Sequence, residues 1–129
     1  MILALGAFLG FFAVAFGAFA EHGLRESVSA EQFRFLTTAV RYNQVHAVVI
    51  VALGLTLLSN GKLSAIGAFT WSGVLFIVGA VLFSFSIYFS VWFDIPVLLS
   101  ATPVGGMTIM AAWLMLMFAG FVAVRKYHD

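Results

Sequence analysis

Residues 2–20 read ILALGAFLGFFAVAFGAFA, and this uncharged stretch decides the fold. A run of about 20 apolar residues crosses a hydrocarbon core of roughly 30 Å as a helix. Three more such runs follow, at residues 39–58, 65–91 and 104–124. Apart from Arg41 and His46, the Asp, Glu, Lys, Arg and His residues lie between and beyond the runs. The runs are continuously apolar rather than alternating, which favours helices, each satisfying its own backbone hydrogen bonds, over a barrel. The predicted architecture is all-α: one integral membrane domain, residues 1–129, built as an antiparallel bundle of four transmembrane helices. The third run is longer than a span needs, so a tilt or an extension past one interface takes up the excess.

Composition points the same way. With 64% hydrophobic residues, 9% charged, 15 Phe and a mean hydropathy of +1.13, too little polar surface is left to coat a soluble domain. Membrane lipids are the expected partner of most of the surface. A net charge of +1 without a basic cluster excludes nucleic acid as a partner. The absence of cysteine excludes disulfides, thiolate metal sites and a thiol nucleophile. Ala18-Phe19-Ala20 before Glu21 has the look of a signal-peptide cleavage site. There is no basic stretch ahead of it and the apolar run begins at residue 2, so the segment is expected to stay as a span.

Working outward, Gly6, Gly10, Ala13 and Gly17 line one face of the first helix at 4-3-4 spacing. Small-residue faces let membrane helices approach closely, and packing within the chain is expected ahead of a dimer seam. Residues 21–42 are the most polar segment. Ser29 and Gln32 fit a capping box, which predicts a helix start near Ala30. From there the helix either runs unbroken into the second span or bends near Thr37 and Thr38, leaving a short amphipathic helix between the first two spans. Residues 59–62, Ser-Asn-Gly-Lys, predict a tight turn. Trp92, Asp94 and Pro96 end the third span, Pro103, Gly105 and Gly106 open the fourth, and Arg125, Lys126, Tyr127 and His128 predict an interfacial anchor.

Antiparallel spans bring the first-to-second and third-to-fourth connections to one membrane face, and the polar residues gather there. His22, Arg41, Tyr42, His46, Ser84, Tyr88 and Thr102 are the candidate ligand-binding residues. Tyr42 and His46 lie one turn apart on one face. An ionisable group inside a span is a functional hypothesis by default. Arg41 is expected to point into the bundle, towards the Glu21 carboxylate, Thr102 or the carbonyls ending the first helix. The bland alternatives are a snorkelling Arg41 and a hydrogen-bonded core His46.

Other chemistry finds little support. His22, His46 and Glu21 are too dispersed for a metal site, so none is expected. No nucleotide, nucleophile-elbow or zinc-protease motif occurs, and no catalytic residue or cofactor is assigned. Ser84 and Ser86 are read as hydrogen-bonding within the membrane. Met107, Met110, Met115 and Met117 are read as packing rather than as a copper box.

The order of Gly17-Ala18-Phe19, His22-Gly23-Leu24, Thr38-Ala39-Val40-Arg41-Tyr42, His46-Ala47, Leu82-Phe83-Ser84, Ser86-Ile87-Tyr88, Thr102-Pro103-Val104-Gly105-Gly106 and Trp113-Leu114 resembles the YgdD-like family of small bacterial inner-membrane proteins. The resemblance covers nearly the whole chain. It implies four membrane helices, a multi-pass inner-membrane location and no established activity, in a family with eukaryotic relatives. Its pattern falls on His22, Arg41, Tyr42, His46, Ser84, Ser86, Tyr88, Thr102 and Pro103. This chain departs from it with Ala20-Glu21 before the first His, and with Phe85 where the family has Gly between the serines.

The first expectation is a non-enzymatic function, binding of a small polar solute, ion or lipid headgroup by the polar cluster. The alternative is an accessory or structural subunit docking on a larger membrane complex, a membrane enzyme comes third, and a homo-oligomer or a larger complex is the assembly such a chain could enter. Lys62, Arg125 and Lys126 on the side of the termini favour cytoplasmic termini.

Overall fold

No charge interrupts the first apolar run, and it forms α1, Ile2–Phe19, prolonged by a π-helical turn over Ala20–Leu24. The computed structural model describes residues 1–59, 61–64 and 66–128. Asn60 of the predicted turn, Ala65 at the predicted start of the third span, Asp129, and the side chains of Tyr127 and His128 lie outside the described residues.

Helix α2, Ala30–Leu58, begins at the predicted capping box, with both bonds present. The Gln32 amide donates to Ser29 Oγ at 3.1 Å, and the Ser29 amide donates to Gln32 Oε1 at 2.9 Å. The α-helix runs unbroken through Thr37 and Thr38, whose hydroxyls donate to the Arg34 carbonyl, each at 2.9 Å. The amphipathic residues are therefore the first turns of α2, with no separate helix before it among the described residues. The third span comprises α3, Gly67–Ala80, a π-helical turn over Val81–Phe85, and α4, Ser86–Trp92. Asp94 then takes a positive φ of 53°, a conformation Asp tolerates better than most residues. A 3-10 stretch over Pro96–Ala101 leads into α5, Thr102–His128. Among the described residues four stretches are long and apolar enough to span: Ile2–Leu24, Ala30–Leu58, Gly67–Trp92 and Pro96–Lys126.

Glycines set the packing. Helices α1 and α2 pack antiparallel, and the predicted small-residue face is used inside the chain. A Cβ on Gly6 would lie 2.8 Å from Ile50, one on Gly17 3.2 Å from Val40, and one on Gly54 2.6 Å from the Leu3 backbone. Helix α5 packs on α3 in the same manner, with Gly79 against Ile109 and Gly105 against the Phe83 backbone. Helices α2 and α3 join the two pairs through a core containing Ala47, Ile50, Leu53, Phe69 and Phe76, and a second core holds Phe16, Leu36, Ala39, Ile87 and Tyr88.

Helices α2 and α5, by contrast, barely touch. Large apolar side chains such as Phe8, Phe11, Phe118 and Phe121 point outward, as a lipid-facing surface requires. Met107, Met110 and Met117 join them instead of packing inside, because they lie on the face of α5 opposite Gly105, Ile109 and Ala112.

Candidate functional site

Helix periodicity decides which polar residues of α2 face the bundle. Leu36, Ala39, Asn43, His46, Ala47 and Ile50 are buried at spacings of three and four. Arg41 stands two residues from both Ala39 and Asn43, about 200° around the helix, so it faces outward. It is exposed and makes no hydrogen bond or ion pair among the described residues. The inward reading of Arg41 is thereby overturned, and its expected acceptors are engaged elsewhere. Glu21 pairs with Arg25, one turn along, and Thr102 Oγ1 lies 2.7 Å from Ser86 Oγ.

Five of the seven predicted residues fall into two groups, and Thr102 and His22 stand apart. Arg41, Tyr42 and His46 line a groove of about 510 Å³ between α2 and α5, together with Val45, Phe83, Gly106, Ile109, Met110 and Trp113. The His46 ring is buried, and its Nδ1 lies 2.7 Å from the Tyr42 carbonyl. That carbonyl can only accept, so Nδ1 carries the proton and Nε2 is left to accept from the Trp113 indole N–H at 3.4 Å. His46 is thus a hydrogen-bonded core residue that closes the inner end of the groove. A second hollow, sharing Phe83 and Gly106, continues the seam towards Leu99, Thr102 and Pro103, so Thr102 sits at its outer end.

Ser84 and Tyr88 belong to a separate, fully buried knot. The Ser84 hydroxyl donates to the Ala39 carbonyl at 3.0 Å, and Asn43 Nδ2 approaches the Tyr88 hydroxyl at 3.4 Å. Among the described residues Asn43 Oδ1 is buried without a hydrogen-bond partner. His22 is exposed on the π-helical turn away from the other six. Among the described residues no three His, Asp or Glu side chains gather.

Sequence reasoning missed Asn43, Phe83 and Trp113 as site-builders. Asn43 had a legible signal, a polar side chain one turn from Ala39 on the inward face. Trp113 had another, an indole mid-span rather than at an interface.

Four apolar helices with outward aromatic side chains define a multi-pass membrane protein. The chain belongs to the DUF423 family, proteins of unknown function, whose family model matches residues 16–106. It is 33% identical to the UPF0382 inner membrane protein YgdD of Escherichia coli, over 97% of this chain and 92% of that one. It is 34% identical to the UPF0382 membrane protein YwdK of Bacillus subtilis, over 98% of each chain, and 32% identical to a UPF0382 membrane protein of Haemophilus influenzae, over 92% of each. These relatives agree with an inner-membrane location, and the four apolar helices with a multi-pass chain. No solved structure matches the chain.

Proposed function

We propose that this protein binds a phosphate-bearing amphiphile from the bilayer, holding the phosphate at Arg41 and an apolar chain in the groove between α2 and α5. One observation carries the reading: an exposed arginine inside a span, unpaired among the described residues, stands at the rim of an apolar groove. An arginine at the centre of a span costs about 2.5–3.5 kcal/mol on insertion scales, a cost that a bound anion offsets. The guanidinium fork meets a phosphate through two parallel hydrogen bonds. Side chains of α2 lean towards its N-terminus, so Arg41 reaches towards the interface where headgroups lie.

Native mass spectrometry of the full chain in mild detergent, titrated with dioleoylphosphatidylglycerol, tests the proposal. Arg41→Gln removes the cation and Met110→Trp fills the groove from its exposed wall. Both are expected to lower lipid retention, and retention at the parent level in both overturns the reading.

With cytoplasmic termini, this headgroup site lies in the outer leaflet. A homo-oligomer or a docked subunit is the weaker reading, since it would draw on the glycine face only if that face were exposed to lipid, and α2 occupies it.

A further inference from the structure

Arg41 stands on a ridge of α2 with a hollow on each side. Opposite the α2–α5 groove, Gly17, Ala20 and Glu21 face Thr37, Val40 and Gln44 across a notch of about 220 Å³, with Arg41 on its wall. Past Gln44 the seam opens into a trough of about 400 Å³ between Ala7, Gly10 and Val14 of α1 and Val48 and Val51 of α2. Gly17 meets Val40, so Arg41 lies about one turn, roughly 6 Å, deeper in the membrane than Glu21. The seam therefore runs from a carboxylate, past a guanidinium and an amide, into an apolar slot. Glu21 is held by Arg25 through one carboxylate oxygen, in a pair with side chains 44% and 61% exposed, which competes weakly with a ligand.

One cation and one carboxylate above an apolar trough complement a zwitterionic headgroup on an acyl chain. A primary ammonium can donate hydrogen bonds to Glu21. A trimethylated ammonium cannot donate, and a glycerol headgroup brings no cation. Resting on the reading of Arg41 above, we infer that the amphiphile is a phosphatidylethanolamine-type phospholipid, its headgroup between Arg41 and Glu21 and its two chains on either side of Arg41, one in the trough and one in the α2–α5 groove.

Competitive native mass spectrometry with dioleoyl lipids bearing ethanolamine, choline or glycerol headgroups tests this on the full chain. The parent should retain the ethanolamine lipid best. Glu21→Gln should abolish that preference while leaving the glycerol lipid bound as before, and Ala7→Phe, on the exposed wall of the trough, should weaken retention of the ethanolamine lipid. Arg41→Gln should lower retention of all three. If Arg41→Gln lowers all three but the parent shows no ethanolamine preference, or Glu21→Gln keeps it, this inference falls and the phosphate reading stands. If Arg41→Gln changes nothing, both fall. Free O-phosphoethanolamine displacing the lipid at concentrations equal to a lipid competitor would show that the chains add nothing, and would also overturn the inference. All three positions are exposed, so folding is not at stake.

Discussion

Arg41 and Asn43 are two residues apart on one helix and meet opposite surroundings, so their substitutions should behave oppositely. Arg41 makes no bond among the described residues that its loss would orphan. Arg41→Gln and Arg41→Lys are therefore expected to unfold within about 0.5 kcal/mol of the parent in SDS titrations, even where lipid retention falls. A drop of more than about 2 kcal/mol would restore the inward arginine. Asn43 keeps an oxygen buried without a partner among the described residues. Asn43→Leu, similar in size and free of that oxygen, should be at least as stable as the parent, whereas Asn43→Asp buries an uncompensated charge and should cost about 3 kcal/mol or more. A stable Asp variant would mean that water or an ion reaches the knot. Both are polar residues in an apolar run, but telling which of them faces the bundle requires knowing where on the wheel the inward face lies. Buried Ala39, Asn43 and His46 define that face, and it leaves Arg41 outside.

Among the elements, caps and spans were legible because each has a local cause. Ser29 and Gln32 announce the start of α2 through their own hydrogen bonds, and Ser29→Ala should cost about 1 kcal/mol. The π-helical turns at Ala20–Leu24 and Val81–Phe85 had no such signal, since they change only the backbone register. The close approach at Gly105 was also hidden: the glycine reads as a helix opener after Pro103, yet a Cβ there would lie 2.3 Å from the Phe83 amide nitrogen. Backbone cannot move aside as a side-chain tip can. Gly105→Ala and Gly54→Ala are expected to destabilise the bundle by about 1–3 kcal/mol through forced separation of helices. Gly120, with nothing within 4 Å of an added Cβ among the described residues, is the control. Gly120→Ala should be neutral or up to about 1 kcal/mol stabilising from helix propensity, as read by heat-induced aggregation in detergent. Equal losses at Gly105 and Gly120 would overturn the close-approach account, since propensity alone favours Ala at both positions.

For the whole molecule, orientation depends on how the cations divide between the two membrane faces. Lys62, Arg125 and Lys126 lie on the face of the termini, and Arg25, Arg34 and Arg41 on or near the other, an even division by count alone. Arg41 tips it, because it already lies inside a predicted span. Arg41 follows the start of α2 by about 16 Å of helix and lies a turn inside the level of Glu21, within the span rather than in a flanking loop. Only Arg25 and Arg34 then count for that face, and cations flanking spans favour the cytoplasm, so the termini are expected there. The missing cysteines make this directly testable, because any thiol introduced is the only one in the chain. Ser27, in the exposed connection between α1 and α2, and Ser64, in the connection after α2, lie on opposite faces of the bundle. In intact cells a membrane-impermeant maleimide should label Ser27→Cys, and should reach Ser64→Cys only after permeabilisation. The reverse pattern would put the termini outside and move the Arg41 headgroup site to the cytoplasmic leaflet.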